Sequence, residues 1–366
     1  MKKIIKNMSF CILAVFLLLC VSIFCCTIYH KHKTKEEIAK LEEYCYEKYS
    51  SGDYDLGVCR IGNKDSKHKL IALSGMGVND YSIGMSAVND ILKDEYEIIY
   101  IDRAGYGFSD DTNKKQTAEQ IVSDYRNALK DAGIEGPYIL LPHSLGGIYA
   151  TYWASEYPDE IEGVVFIDTS VVEEDAGRRE GYETTLLDRL YVMFGKIGLQ
   201  RLFLRKISYK VPSYCSDKDQ EIADYLNIYS AATKAMLSES DEILNNFKFV
   251  YDNIKSNDIP KVFVNASSGH RTKEEVLDSI EWLRNRQKEV GIEPSAAEIT
   301  EDMVDKLISE SVQYTDNTII PYLNSMGNTT FINLPGNHAI YEEKPEELAE
   351  IIREFIENID NYKGDF

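Results

Sequence analysis

An α/β architecture, a mostly parallel sheet flanked by helices, is the fold class that this 366-residue sequence predicts, and three observations carry it. Short apolar runs such as Leu70-Ile71-Ala72-Leu73, Tyr138-Ile139-Leu140-Leu141 and Val164-Val165-Phe166-Ile167 alternate with helical stretches, the pattern of parallel strands joined by crossovers. Several of these runs lead into glycine-bearing loops. Near the C-terminus Pro345 opens a helix in which Leu348, Ile351, Ile352, Phe355 and Ile356 recur at the 3.6-residue period. A chain of this length buries a sizeable core and implies one large domain with insertions, or a domain with appendages.

The N-terminal segment 1–35 reads as a membrane anchor with flanking basic residues. Ser9 to Tyr29 carries no charge and, at about 1.5 Å per helical residue, is long enough to cross a hydrocarbon core. Lys2, Lys3 and Lys6 precede it and favour a cytoplasmic N-terminus, although Lys31, Lys33 and Lys35 follow. Phe24, Cys25, Cys26 and Thr27 make a poor signal-peptidase site, so an uncleaved signal anchor is expected over a cleaved signal peptide or a lipid anchor at Cys20. That places the body outside the cytoplasm on a single-pass anchor.

The formal charge of −21 disfavours a nucleic-acid partner, because phosphate binding needs clustered Lys and Arg. Four of the seven cysteines lie in the apolar segment, where a thiol acts as a small hydrophobe. Cys45, Cys59 and Cys215 remain, without metal-ligand spacing; a Cys45–Cys59 disulfide is conceivable and a metal site is not expected.

Along the chain, 36–50 reads as a stalk, either a short helix with Ile38, Leu41 and Cys45 on one face or a solvated linker. The core's first part is expected over 51–168. In it the strand at Leu70–Leu73 precedes Ser74-Gly75-Met76-Gly77, and the strand at Glu97–Ile101 precedes Asp102-Arg103-Ala104-Gly105-Tyr106-Gly107-Phe108-Ser109. Thr117 can cap a helix that carries Ile121, Tyr125 and Leu129 and stops at Gly133. A helical insertion, 169–258, includes runs at Leu186–Leu204 and Glu221–Leu237. The core's second part, 259–366, starts with the strand Val262-Phe263-Val264 and contains a further helical insertion at about 270–326, which opens on the capping-box pattern Thr272-Lys273-Glu274-Glu275.

The chemistry centres on Pro142-His143-Ser144-Leu145-Gly146-Gly147, directly after the Tyr138–Leu141 strand. A serine hydroxyl becomes a useful nucleophile when a sharp strand-to-helix turn lifts it clear of the sheet and presents it to a base. Gly146 and Gly147 let such a turn close. Thr330-Phe331-Ile332-Asn333-Leu334 leads in the same way to Pro335-Gly336-Asn337-His338. The ordered series of strand and S-G-M-G loop, strand and D-R-x-G-x-G-x-S, strand and H-S-x-G-G, strand and G-N-H resembles the α/β-hydrolase family over about 55–170 and 255–360. Proline stands where that family usually has the first glycine of its serine motif.

The resemblance implies Ser144 as nucleophile, His338 as general base, backbone N–H groups of Met76 and Leu145 as the oxyanion hole, and a cap over the site in 169–258. His30 and His32 flank the membrane run, His68 precedes a strand and His143 adjoins the nucleophile, while His270 is a second candidate base. Relatives most often keep the triad acid after the strand that here is Val262–Val264, yet Asn265-Ala266-Ser267-Ser268-Gly269 has no carboxylate. Asp168, at the end of the preceding strand, is expected to serve instead, with Glu274 and Glu275 as the nearest rivals. The implied reaction is hydrolysis of a small-molecule or lipid ester through an acyl-enzyme, with no metal or organic cofactor. Aminopeptidase, amidase or acyltransferase chemistry on the same residues stays open, as does a binding protein without turnover.

Overall fold

The computed structural model describes residues 2–174, 183–201, 210–231, 233–296 and 298–359. It opens with one helix, α1 (Lys2–Tyr44), followed by the antiparallel strands β1 (Tyr46–Ser50) and β2 (Asp55–Gly62). Then come β3 (Lys69–Leu73), the short helices α2 (Tyr81–Gly84) and α3 (Ser86–Leu92), β4 (Glu97–Ile101), α4 (Ala118–Asp131), β5 (Tyr138–Pro142), α5 (Gly146–Glu156) and β6 (Ile161–Ile167). Helices α6 (Leu186–Lys196), α7 (Asp217–Tyr229) and α8 (Lys234–Asp252) separate β6 from β7 (Lys261–Asn265). Helices α9 (Lys273–Glu289), α10 (Glu301–Tyr314) and α11 (Ile320–Met326) separate β7 from β8 (Thr329–Asn333), and α12 (Ile340–Glu343) and α13 (Pro345–Glu357) follow.

The eight strands form one sheet in the order β1-β2-β4-β3-β5-β6-β7-β8. Pairing is antiparallel from β1 through β2 to β4 and parallel from there on. The two-residue alternation of a strand sorts side chains between two cores, one on each face. Ile71, Ile99, Leu140, Phe166 and Phe263 face α4 and α5, whereas Leu70, Ile98, Ile139, Val165 and Val262 face α3 and α13. Strands buried on both faces read as continuous apolar runs for this reason.

Helix α13 buries Leu348, Ile352, Phe355 and Ile356, each contributing about 1.5–3 kcal/mol. Gly163 makes its approach possible, since a Cβ there would come within 2.7 Å of the Phe355 ring. Thr117 caps α4 through the Gln120 N–H, and Thr272 and Glu275 form the reciprocal box that opens α9.

Three boundaries differ from expectation. The helical part of the stalk is continuous with the apolar segment and ends at Tyr44, while residues 46–50 are strand β1 of the sheet rather than stalk. Two observations account for this: the Cys45–Cys59 disulfide fastens the chain to β2, and Leu41 and Tyr46 are buried against the core. The helical run expected over Glu221–Leu237 is two helices, because Thr233 begins α8 by accepting the Met236 N–H, with its own hydroxyl directed at the Gly105 carbonyl at 3.1 Å. Helix α6 stops at Lys196, short of Leu204, and Gly198 follows with φ of 79°. Residues 175–182 and 202–209 of the expected cap lie outside the described residues.

Helix α1 has two unlike halves. From Met8 to Tyr29 its large apolar side chains are exposed, and among the described residues it is the one helix long and apolar enough to cross a membrane. Beyond that the helix is docked: Arg201 pairs with Glu37 at 2.5 Å and donates to His30 Nδ1 at 2.8 Å, and the Tyr44 hydroxyl donates to Asp219 at 2.6 Å.

Candidate active site

Ser144 sits two residues beyond β5 with φ of 50°, a left-handed conformation that costs a non-glycine residue about 1–3 kcal/mol. Hydrogen bonds hold it there. Gly146 N–H donates to the His143 carbonyl at 2.9 Å, and the Ser144 carbonyl accepts from Gly147 at 3.0 Å and Ser170 at 2.9 Å. Gly146 is required by close approach, for a Cβ would lie 2.5 Å from the Leu73 carbonyl oxygen, and a Cβ on Gly147 would collide with Thr169. The loop after β3 lies against the Ser144 side chain, since a Cβ on Gly75 would stand 2.9 Å from Ser144 Cβ and 3.4 Å from its Oγ.

His338 follows β8 by five residues, with its side chain about half exposed, and its Nδ1 lies 2.7 Å from Asp168 Oδ2. An ionised carboxylate only accepts, so the proton of the neutral ring is on Nδ1 and Nε2 is left as the basic nitrogen. Asp168 is buried, has φ of 42° and is itself a hydrogen-bond focus. Its Oδ1 accepts the N–H groups of Ala266 at 2.8 Å and Ser267 at 2.9 Å. Burial alone would raise its pKa, but the hydrogen bond and charge of His338, with the Ser267 and Ala266 donors, outweigh burial and hold it below the ordinary carboxylate value.

The structure therefore brings together Ser144's strained turn, the Met76 loop, His338 and Asp168. Among the described residues neither the Met76 nor the Leu145 N–H is engaged in a hydrogen bond. Two of the rival groups are elsewhere engaged. His270 Nε2 lies 2.9 Å from Ser279 Oγ, and Glu275 accepts the N–H groups of Arg271 and Thr272 at the start of α9.

Three features were not anticipated. His143, buried beside Ser144, donates from Nε2 to the His338 carbonyl at 2.9 Å and stacks on Tyr81. Burial, with the neighbouring His338 charge, pushes its pKa down to about 4, so it holds the His338 loop as a neutral ring. The N–H groups of Ala266 and Ser267 have no signature in sequence, because every non-proline residue supplies one. The buried Arg103 and Glu239 form the third feature. Each charged residue can be read from the chain, but that the two meet is decided by tertiary packing.

The buried acid Asp102 closes its own loop by accepting the Phe108 N–H at 2.8 Å, and burial pushes its carboxyl up to about 7. Beside the site, a cavity of about 320 Å³ is lined by Gly77, Tyr81 and Ala339 on the core side and by Pro212 and Asn227 from the segment between β6 and β7. Its mixture of apolar walls and a few polar groups suits a small organic group.

Comparison with known proteins agrees with the architecture. A family model described as alpha/beta hydrolase fold matches residues 73–302. The uncharacterized protein YbdG of Bacillus subtilis (strain 168) is 30% identical over 234 residues, which span 62% of this chain and 68% of that protein. Among solved structures, a putative lipase from Acinetobacter baumannii AYE superposes with a TM-score of 0.50 at 15% identity, covering 90% of this chain and 96% of that one. A loop variant of the haloalkane dehalogenase DbeA from Bradyrhizobium elkanii superposes with a TM-score of 0.51 at 13% identity, covering 86% and 97%. At such identities these two likenesses speak for the fold alone.

Proposed function

Because the chain belongs to the α/β-hydrolase family, we propose that it is a serine hydrolase cleaving carboxylic esters, small or lipid-like, through an acyl-enzyme on Ser144. The observation that carries the reading is the pairing of a left-handed Ser144 at a strand-to-helix turn with a His338–Asp168 hydrogen bond of 2.7 Å. In this reading His338 Nε2 takes the Ser144 proton as Oγ attacks the ester carbonyl, and the Met76 and Leu145 N–H groups receive the oxyanion. The imidazolium then protonates the departing alkoxide. Water, activated by the same nitrogen, releases the acid and regenerates Ser144.

The side chain at 144 also argues against halide displacement of the kind that the dehalogenase neighbour's name implies. A serine that displaced a halide would be left as an ether, with no carbonyl for water to attack. An acyl-serine has one.

The segment 169–258 is read as a cap whose helices close over the site, and α1 as a signal anchor that holds the body at an extracytoplasmic membrane face. The apolar, exposed surface of Met8–Tyr29 supports the anchor. Protease added outside intact cells should then digest the body, while a soluble chain beginning near residue 30 would reveal a cleaved signal instead. For the chemistry, Ser144→Ala should abolish p-nitrophenyl ester hydrolysis with the thermal midpoint kept. Turnover retained in that variant removes Ser144 as nucleophile.

A further inference from the structure

Arg103 and Glu239 make a fully enclosed ion pair, Nε to Oε1 at 2.8 Å, with both side chains 1% exposed. Two charges taken out of water rarely repay their desolvation in stability, so a pair at this depth calls for another role. Arg103 stands in the loop after β4, and Glu239 is on α8, in the segment between β6 and β7. The rest of the guanidinium is directed at the loop after β3: Nη1 donates to the Ser74 carbonyl at 2.6 Å and Nη2 to the Gly75 carbonyl at 2.8 Å.

Glu239 is bound on its other sides by the hydroxyls of Tyr149, at 2.6 Å, and Tyr106. The Tyr106 hydroxyl also accepts the Gly77 N–H at 3.4 Å, and its ring lies 4.2 Å beneath the Arg103 guanidinium. The β3 loop is thus gripped on both flanks, at Ser74 and Gly75 by Arg103 and at Gly77 by Tyr106. Between them is the peptide that joins Gly75 to Met76.

A trans peptide is planar, and its C=O and N–H point in opposite directions. Fixing the Gly75 carbonyl on Arg103 therefore fixes the direction of the Met76 N–H, away from the guanidinium. A cation on the carbonyl also polarises the amide and strengthens its N–H as a donor. The same peptide adjoins Ser144, as the 3.4 Å from a Gly75 Cβ to Ser144 Oγ requires.

We infer that Arg103 and Glu239 are positioning residues for the oxyanion hole, through which the seating of α8 sets the rate of acylation. Neither touches the reacting atoms. The inference rests on the reading of Ser144 as nucleophile and Met76 as oxyanion donor. A second tie runs the same way: Thr233, at the start of α8, is bonded to the Gly105 carbonyl, and the N–H groups of Lys234 and Ala235 donate to Asp111. The inserted helix is fastened to the loop that carries Arg103, so a substrate that shifts α8 shifts the donor with it.

The test uses the full-length chain in detergent, with p-nitrophenyl ester turnover, inhibition by an aryl trifluoromethyl ketone and the thermal midpoint as readouts. Such a ketone gains affinity as a hemiketal oxyanion on the serine, so it reports the donor rather than general binding. Glu239→Gln should lower kcat about ten- to a hundredfold, with KM within about twofold and ketone affinity falling in parallel with kcat. Because that variant leaves a buried cation unpaired and can unfold, the charge-conserving Arg103→Lys is the second arm. A lysine keeps a positive charge opposite Glu239 but lacks the planar fork that spans the Ser74 and Gly75 carbonyls, so this variant should stay folded and still lose kcat and ketone affinity. A folded Arg103→Lys variant with parental kcat and ketone affinity overturns the inference while Ser144 stands. A parent protein that neither turns over ester nor binds the ketone overturns the serine-hydrolase reading itself, and the inference with it.

Discussion

The carboxyl ends of β6 and β7 are neighbours in the sheet and contribute opposite halves of one hydrogen-bond arrangement. The β6 end supplies the charge: Asp168, at φ of 42°, with one oxygen toward His338. The β7 end supplies donors only, the N–H groups of Ala266 and Ser267 on the other oxygen. There is no room for a carboxylate at the far side of that loop. A Cβ on Gly269 would come within 2.8 Å of the Ala266 and Asn265 carbonyl oxygens and 2.9 Å of Pro335 Cα, and Asn333 fastens the Gly269 carbonyl at 2.7 Å. The comparison teaches that the position of the acid is a property of two strand ends together, one presenting the carboxylate and the other solvating it with backbone.

The sharpest way to break that comparison is to neutralise its charged half. Asp168→Asn should lose about four orders of magnitude in kcat/KM, since an amide favours the wrong tautomer of His338. Adding Gly269→Asp to that variant should not restore activity, because the loop cannot hold the side chain without moving. Recovery of parental rates in the double variant would mean that either strand end can carry the acid.

A smaller effect separates His338's two supports, Asp168 on its ring and His143 on its backbone. His143 has its pKa depressed to about 4, so between about pH 6.5 and 4 the unfolded chain binds a proton that the folded chain does not. Stability from this group therefore falls as the pH falls, by up to about 1.4 kcal/mol per pH unit for one full proton. Asp102, raised to about 7, acts in the opposite sense over much of the same window, so the difference between parent and variant isolates His143. Denaturant titrations should show that His143→Phe gains on the parent as the pH drops from 6.5 to 4. Asp168, with its pKa held low, contributes stability that is lost only below the ordinary carboxylate value of about 4. Equal pH slopes in parent and variant would mean that His143 takes up its proton in the folded state.

The smallest expected effect is at the rival acids. Glu275→Gln keeps a side chain able to cap α9, and Glu274 lies on the same first turn, so each amide should leave ester turnover within a few-fold of the parent. A loss of a hundredfold or more at either position would bring the β7–β8 insertion into the active site.

Much of this arrangement is legible in the chain because it depends on local rules. Apolar runs buried on both faces announce the strands. Gly146 and Gly147 announce a turn whose close approaches exclude a Cβ, and the stripe from Leu348 to Ile356 announces α13. The strand character of residues 46–50 was missed because it is imposed by pairing with β2 and by the Cys45–Cys59 bond rather than by local pattern. The separation of α7 from α8 depends on Thr233 meeting the Gly105 carbonyl, a contact between residues 128 apart. The Arg103–Glu239 pair escaped for the same reason: burial of a charge is decided by its partner, and the partner lies across the fold.

The central claim, that Ser144 is a nucleophile activated by His338 and Asp168, is tested most directly by incubating the purified full-length chain with a fluorophosphonate and locating the adduct by peptide mass mapping. The account predicts one adduct, on Ser144, absent in Ser144→Ala and formed much more slowly in His338→Ala and Asp168→Asn. An adduct on another residue, or labelling of Ser144 at the parental rate in those last two variants, would contradict it.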